Sequence, residues 1–271
     1  MKKTLLTLAI MLAGMLSTQA QSQSLILDDS KDDMVTKINE AAEKGGTYNI
    51  RFSKRTINLN TWNVLVLPFD VKPGVIGKAF GSSTGTAAVD VLNVNNENPN
   101  TMHFSIVTSG VIPAGTPFII LATEGKTTFR EVTDFTNIEV KKVEAQMVQT
   151  DKNGNRFIGV FSPTTFYGKG FWYMSQGMWK QASKYTAEKP VTLKPFRAYI
   201  EFSKAAEAPM IIIDEPDGTT TVIDPATFNK GEFKSNGTQD DGWYSVTGMR
   251  LTQEPTAKGV YIHNARKVVI K

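Results

Sequence analysis

Gly81, Ser83 and Gly85 form a G-x-S-x-G pattern, the signature of a serine nucleophile raised on a sharp turn between a strand and a helix. The chemistry needs that order of elements, because the turn lifts the hydroxyl clear of the sheet and toward a histidine. Here the residues after the serine, Thr86 to Val94, alternate in the manner of a strand, so the pattern lacks the required helix. A Ser/Gly/Thr loop between strands accounts for the same residues. Of the two histidines, His103 falls in a predicted strand and His263 in a predicted hairpin turn. Neither has a second histidine or a carboxylate at ligand spacing, so no metal site is expected on them. A hydrolase would have to join Ser83 to His103, and it ranks third among the functional readings.

Asp151, Asn153 and Asn155 resemble the start of a calcium loop, but Arg156 stands where the tight turn needs glycine and no glutamate occupies the twelfth position. An Asn153-Gly154 hairpin explains the same residues. Asp240 and Asp241 are adjacent in a linker-like stretch and have no fixed separation of the kind that paired-carboxylate catalysis uses. With no cysteine in the chain, a thiol nucleophile, a thiolate metal site and a disulfide framework are all excluded. No catalytic residue and no cofactor is expected.

The stretch Phe166, Tyr167, Phe171, Trp172, Tyr173 and Trp179 offers a different chemistry, since aromatic rings exposed beside polar groups stack on sugar rings. On that reading Trp172, Tyr173 and Trp179 are the ligand contacts. Strand alternation sends Phe171 and Tyr173 to one face and Trp172 and Met174 to the other. One of those faces must be core, and large aromatics dominate cores.

These residues need elements to position them. Lys2 and Lys3, the apolar run Leu5 to Leu16 and the short residues Ser17, Thr18 and Ala20 read as a secretory signal peptide cleaved after Ala20. The run is shorter than the roughly 20 residues of a spanning helix, and no cysteine follows it for lipid attachment. The formal charge of +4 falls to about +2 once Lys2 and Lys3 leave, and no basic cluster remains to track a phosphate backbone. Nucleic acid is therefore not an expected partner.

Ser30 is placed to cap a helix that has Asp33 in its first turn, Met34, Ile38, Ala41 and Ala42 on one face and Gly45-Gly46 at its end. From Tyr48 the period switches to two: Tyr48, Ile50, Phe52; Leu92, Val94; Met102, Phe104, Ile106; Phe196, Ala198, Ile200, Phe202. Val64 to Leu67, Phe118 to Leu121 and Met210 to Ile213 run without interruption and suit strands covered on both faces. Turn residues separate the runs. The expected fold is all-β and mainly antiparallel, a sandwich or jelly-roll-like body with one short N-terminal helix and a small C-terminal β segment. Its expected divisions are a leader, 1–20, the body, 21–213, an acidic flexible linker, 214–241, and the C-terminal unit, 242–271.

Three blocks carry a resemblance: Trp62, Leu65, Leu67, Pro68, Phe69, Asp70 and Val71; Ala114 to Ile119; and Lys194 to Tyr199. In order and spacing they resemble a β-rich module near the C-termini of secreted and surface proteins of Bacteroidota. The residues that match are turn and core formers, so the resemblance implies a fold and no catalytic group. Tyr244, Thr247, Gly248, Lys258, Gly259, Val260, Tyr261, Ile262 and Lys267 to Ile270 resemble, in abbreviated form, the C-terminal sorting segment of the same phylum. That resemblance implies contact with a type IX export machinery through Tyr244, Gly248, Gly259, Tyr261, Ile262 and Val268. It also implies a periplasmic, outer-membrane-surface or extracellular destination, with no stable membrane span after leader cleavage. The leading expectation is a non-enzymatic structural or adhesive envelope protein whose partner is a glycan or a surface protein, and a glycan-binding module is the alternative.

Overall fold

The computed structural model describes residues 22–80, 87–122, 135–204, 210–215, 218–223, 243–245, 250–251, 253–263 and 266–270. Strands β1 (Gln23–Leu27) and β2 (Tyr48–Phe52) pair in parallel, joined by helix α1 (Met34–Lys44). Leu25, Leu27, Tyr48, Ile50 and Phe52 point inward, and Met34, Ile38 and Ala41 form the helix stripe that covers them. Gly45 ends the helix with a φ of 69° and donates its N–H to the Ala41 carbonyl, a conformation that glycine adopts without strain. The capping residue differs from expectation. Asp33 occupies the N-cap position, while the Asp28 carboxylate takes both the N–H and the hydroxyl of Ser30. Ser30 thus belongs to an Asx turn ahead of the helix. The same two bonds pull the Asp28 carboxyl down to about 2.

Next come β3 (Trp62–Leu65), helix α2 (Pro73–Phe80), β4 (Ala87–Leu92), β5 (Thr101–Ile106) and β6 (Phe118–Ala122). The second sheet is built from β7 (Gln146–Thr150), β8 (Arg156–Val160), β10 (Phe171–Ser175), β11 (Met178–Gln181) and β13 (Arg197–Glu201). The short pair β9 (Thr164–Phe166) and β12 (Val191–Leu193) forms a ribbon beside it. Finally β14 (Met210–Asp214) and β15 (Thr220–Ile223) return to the first sheet, whose order is β15-β14-β5-β4-β6-β3. Strands β5 and β14 lie parallel although the whole second sheet intervenes between them in sequence. That long crossover is what a parallel pair requires, and it folds one sheet over the other.

The result is a layered all-β body. One core lies between α1, α2 and the first sheet, and contains Leu65, Phe118 and Ile120. A second lies between the two sheets, with Val64, Ile119 and Leu121 facing Phe157, Trp172 and Ile200. The uninterrupted runs Val64 to Leu67 and Phe118 to Leu121 are therefore buried on both faces, as their pattern requires. Met210 to Ile213 departs from that expectation, because Ile211 and Ile213 are buried while Met210 and Ile212 are only half covered. In β8, Gly159 lies against Val66 so closely that a Cβ would stand 2.7 Å from its methyl carbon; the layers approach there because the side chain is missing.

The start of the expected linker needs correction. Asp214 closes β14, and Thr220–Ile223 pairs antiparallel with it, so the chain through Ile223 belongs to the body. The hairpin turns at Gly218, whose φ is 82°. The remainder of that stretch, with Asp240 and Asp241, lies outside the described residues. A four-stranded antiparallel sheet follows: β16 (Trp243–Ser245), β17 (Arg250–Leu251), β18 (Gly259–His263) and β19 (Arg266–Ile270), ordered β17-β16-β18-β19. Among the described residues, none of this sheet belongs to the three core clusters of the body. Among the described residues, no helix is long and apolar enough to cross a membrane.

Candidate functional site

The aromatic stretch divides as strand alternation dictates, and both faces prove to be covered. Trp172 and Trp179 lie between the sheets, 2% and 4% exposed, and Trp179 stacks on Phe104 with ring centroids 6.1 Å apart. Tyr173, on the opposite face, joins Phe166, Val191, Leu193 and Tyr199 in a third core beneath the β9–β12 ribbon. The expectation that Trp172, Tyr173 and Trp179 stack on a ligand is therefore corrected: one face is claimed by the facing sheet and the other by the ribbon.

Among the described residues, the most exposed rings are those of Tyr167 and Tyr185, 49% and 37% exposed. Tyr167 follows β9. Tyr185 follows a 3-10 turn, Ala182–Lys184, that continues from β11. One backbone atom links them, because the Ala182 carbonyl accepts the N–H of Gly168 at 3.0 Å and of Tyr185 at 3.1 Å. Gly168 has a φ of 100°, which turns the chain sharply after Tyr167. The Gln181 side chain adds a bond from Nε2 to the Lys169 carbonyl at 2.7 Å. Behind them the Tyr173 and Tyr185 hydroxyls share a hydrogen bond of 3.0 Å, and Phe166 stacks on Tyr199 at 4.4 Å. Burial, and next the bond to Tyr185, hold the Tyr173 phenol up at about 12, so it stays neutral across the physiological range. An aromatic column thus runs from the core to Tyr185, while Tyr167 is brought beside it through the Gly168 backbone. Periodicity could not find Tyr185, which stands in the polar connection between the 3-10 turn and β12.

A second polar constellation lies on the first sheet. His103 Nε2 meets Asp214 Oδ1 at 2.8 Å across β5 and β14, both residues half-buried. The sequence had set Asp214 in a linker and left His103 without a carboxylate. Asp90, on β4, shares a face with its register partner Ile119 and so points between the sheets. It is fully buried, and neither carboxylate oxygen has a hydrogen-bond partner. Burial foremost, then the charges of Asp214 and Glu215, push its pKa up to about 8. Ser83 lies outside the described residues. In the register of the sheet, Asn93 stands level with His103, and β4 begins six residues earlier at Ala87, about 20 Å along the strand.

The Asp151 loop is closed by its own residues. Asp151 Oδ1 accepts the N–H groups of Asn153 and Asn155, and Oδ2 accepts Asn155 Nδ2 at 3.0 Å. Ser203 donates to the Asn153 carbonyl at 2.8 Å, tying the hairpin to the end of β13. These bonds use the carboxylate as a turn former, and among the described residues no group of three or more His, Asp or Glu could hold a metal.

In the C-terminal sheet, Tyr244 stands opposite Ile262, and Tyr261 opposite Val268. Gly259 opens β18 opposite Ile270; Gly248 lies outside the described residues. His263 is the last residue of β18 and stacks on Trp243 with centroids 4.4 Å apart, so it is a packed strand end and not a solvated turn residue. Comparison with protein-family models, curated proteins and solved structures finds no match to the chain.

Proposed function

We propose that the chain is an exported, non-catalytic adhesive module of the cell envelope. The observation that carries this reading is the exposed tyrosine pair: two large rings in water, drawn from separate connections whose backbones meet at the Ala182 carbonyl, with Tyr185 propped on an aromatic column. Rigid aromatics with two side-chain torsions lose little entropy on contact, and a doubly covered sandwich supplies the stiff mount that such a surface needs. The leader-like residues Met1 to Ala20 and the sorting-like segment of the C-terminal sheet support export. The buried Asp29 is engaged with the fold through Arg197, which supports a structural role for that pair.

Cell fractionation of the full chain in a host with type IX export tests the address. The protein is expected in the surface or extracellular fraction, and deletion of Trp243 to Lys271 is expected to strand it in the periplasm. A cytoplasmic location, or an address indifferent to the deletion, refutes the corresponding part of the reading. Labelling with an active-serine probe is expected to leave Ser83 unmodified; stoichiometric labelling that a Ser83→Ala variant abolishes would establish a hydrolase instead.

A further inference from the structure

The tyrosine pair sits in a basic field. Residues 164–189 contain Lys169, Lys180, Lys184 and Lys189 against one acidic residue, Glu188. Lys180 is the cross-strand partner of Tyr173, so it rises from the same outer face as the aromatic column. Lys169 and Lys184 each adjoin one of the two anchoring bonds, at Gly168 and at Tyr185. Among the described residues none of these lysines has an ion-pair partner, whereas Lys141, Lys142 and Lys152 elsewhere on the surface are held by Glu139, Glu43 and Glu97. Glu188 is engaged locally, its carboxyl held below the usual range chiefly by the Thr186 hydroxyl.

We propose that Tyr167 and Tyr185, with Lys169, Lys180 and Lys184, form a binding site for an acidic glycan. The proposal rests on the adhesive reading and supplies its ligand class. Two separated phenol rings with polar edges suit the alternating C–H faces and hydroxyls of sugar rings. Unpaired ammonium groups beside them suit carboxylate or sulfate substituents, as complementary charge does at other interfaces. A lipid surface would call for a contiguous apolar patch, and here the rings stand among Thr165, Gln181, Ser183 and Thr186. A nucleic-acid strand would call for a basic track, and the 164–189 stretch contains no arginine.

Affinity electrophoresis and calorimetry on the full chain, with polygalacturonate and chondroitin sulfate as ligands, test the proposal. Dextran, polyglutamate, single-stranded DNA and anionic vesicles form the comparison arms. Retention by at least one acidic polysaccharide is expected, with affinity falling as salt is added and little retention by dextran. Tyr167→Ala and Tyr185→Ala should each weaken binding about tenfold, as loss of an aromatic anchor does. Tyr185→Phe, which keeps the ring, should retain most of it, and Lys169→Gln with Lys184→Gln should flatten the salt dependence. Thermal melts superimposable on the parent would place these losses at the site. Absence of binding to both acidic polysaccharides overturns the proposal. So does equal binding to polyglutamate, DNA or vesicles, or binding untouched by both alanine variants. A surface-located protein with any of these results loses its ligand class and keeps its adhesive role, while a protein absent from the envelope loses the role itself.

Discussion

Two corners of the body bury charge, and they resolve it in opposite ways. Where the βαβ unit meets the second sheet, Asp29 is 3% exposed and pairs with Arg197 at 2.9 Å. Arg55, also buried, donates to the Thr56 and Val64 carbonyls at 2.7 and 2.6 Å. Burial first and Arg197 second push the Arg55 guanidinium down to about 9, while Asp29 opposes the fall. The group still carries its proton at neutral pH. On the first sheet Asp90 has, among the described residues, neither a counter-ion nor a hydrogen bond, and it escapes the cost of burial by keeping its proton. A paired charge in this fold becomes a bolt between layers; an unpaired one becomes a neutral side chain with a pH limit.

Removing the shared anion is the severest way to break the first corner. Asp29→Ala would leave the buried Arg55 guanidinium beside the partly exposed Arg197 with their shared anion gone. Loss of one partner from a buried ion pair costs about 3–5 kcal/mol. Chemical denaturation at neutral pH should show a loss of that size. A loss below about 1 kcal/mol, the value of an exposed pair, would mean that Arg197 swings out into the solvent it already borders and that the corner is not a bolt.

The second corner predicts the reverse sign. The folded-state pKa of Asp90 is raised, from 3.8 to about 8. Below 3.8 both states hold the proton and burial of the carboxyl costs no ionisation energy. Between 3.8 and 8 the folded chain holds a proton that the unfolded chain has released, so stability falls as pH rises, by about 1.4 kcal/mol per pH unit from this group. Above 8 the loss is complete. Asp90→Asn, close to isosteric and unable to ionise, should remove this slope and stabilise the protein increasingly toward pH 8. Parallel stability profiles of parent and variant between pH 5 and 8 would show that the buried carboxyl is solvated or paired after all.

Much of this architecture was legible in the sequence, because alternation and uninterrupted apolar runs record which faces are covered. Val64 to Leu67 and Phe118 to Leu121 declared a doubly buried layer, and the structure puts helices on one side and a sheet on the other. Helix α2 was not legible. Pro73–Phe80 contains two glycines and is apolar on nearly every side, so only its burial against β4 makes it a helix. The β14–β15 hairpin was hidden for the opposite reason: Asp214, Glu215, Gly218 and Thr219 have the composition of a linker, but Thr221 Oγ1 bonds Glu215 at 2.6 Å and closes the turn. The candidate site was found in the right stretch but on the wrong residues. A period-two pattern ranks faces, and it carries no information about a ribbon folded over one of them or about a loop tyrosine propped on a buried one.

The smallest effect discriminates best between the causes of the Asp90 anomaly. Asp214 and His103 are both about one-quarter exposed, so Asp214→Asn should cost less than about 1 kcal/mol, as surface-accessible pairs do. Its consequence should appear elsewhere. Asp214 is the larger of the two like charges that raise the Asp90 pKa, after burial; neutralising it favours the ionised form of Asp90. The pH at which the stability profile levels off should therefore move down, toward neutrality, with the slope below it unchanged. Carboxyl titration of Asp90 by NMR should show the same downward displacement. A profile that keeps its upper limit would mean that burial, with Glu215, holds the proton, and that Asp90 and Asp214, on opposite faces of one sheet, do not sense each other.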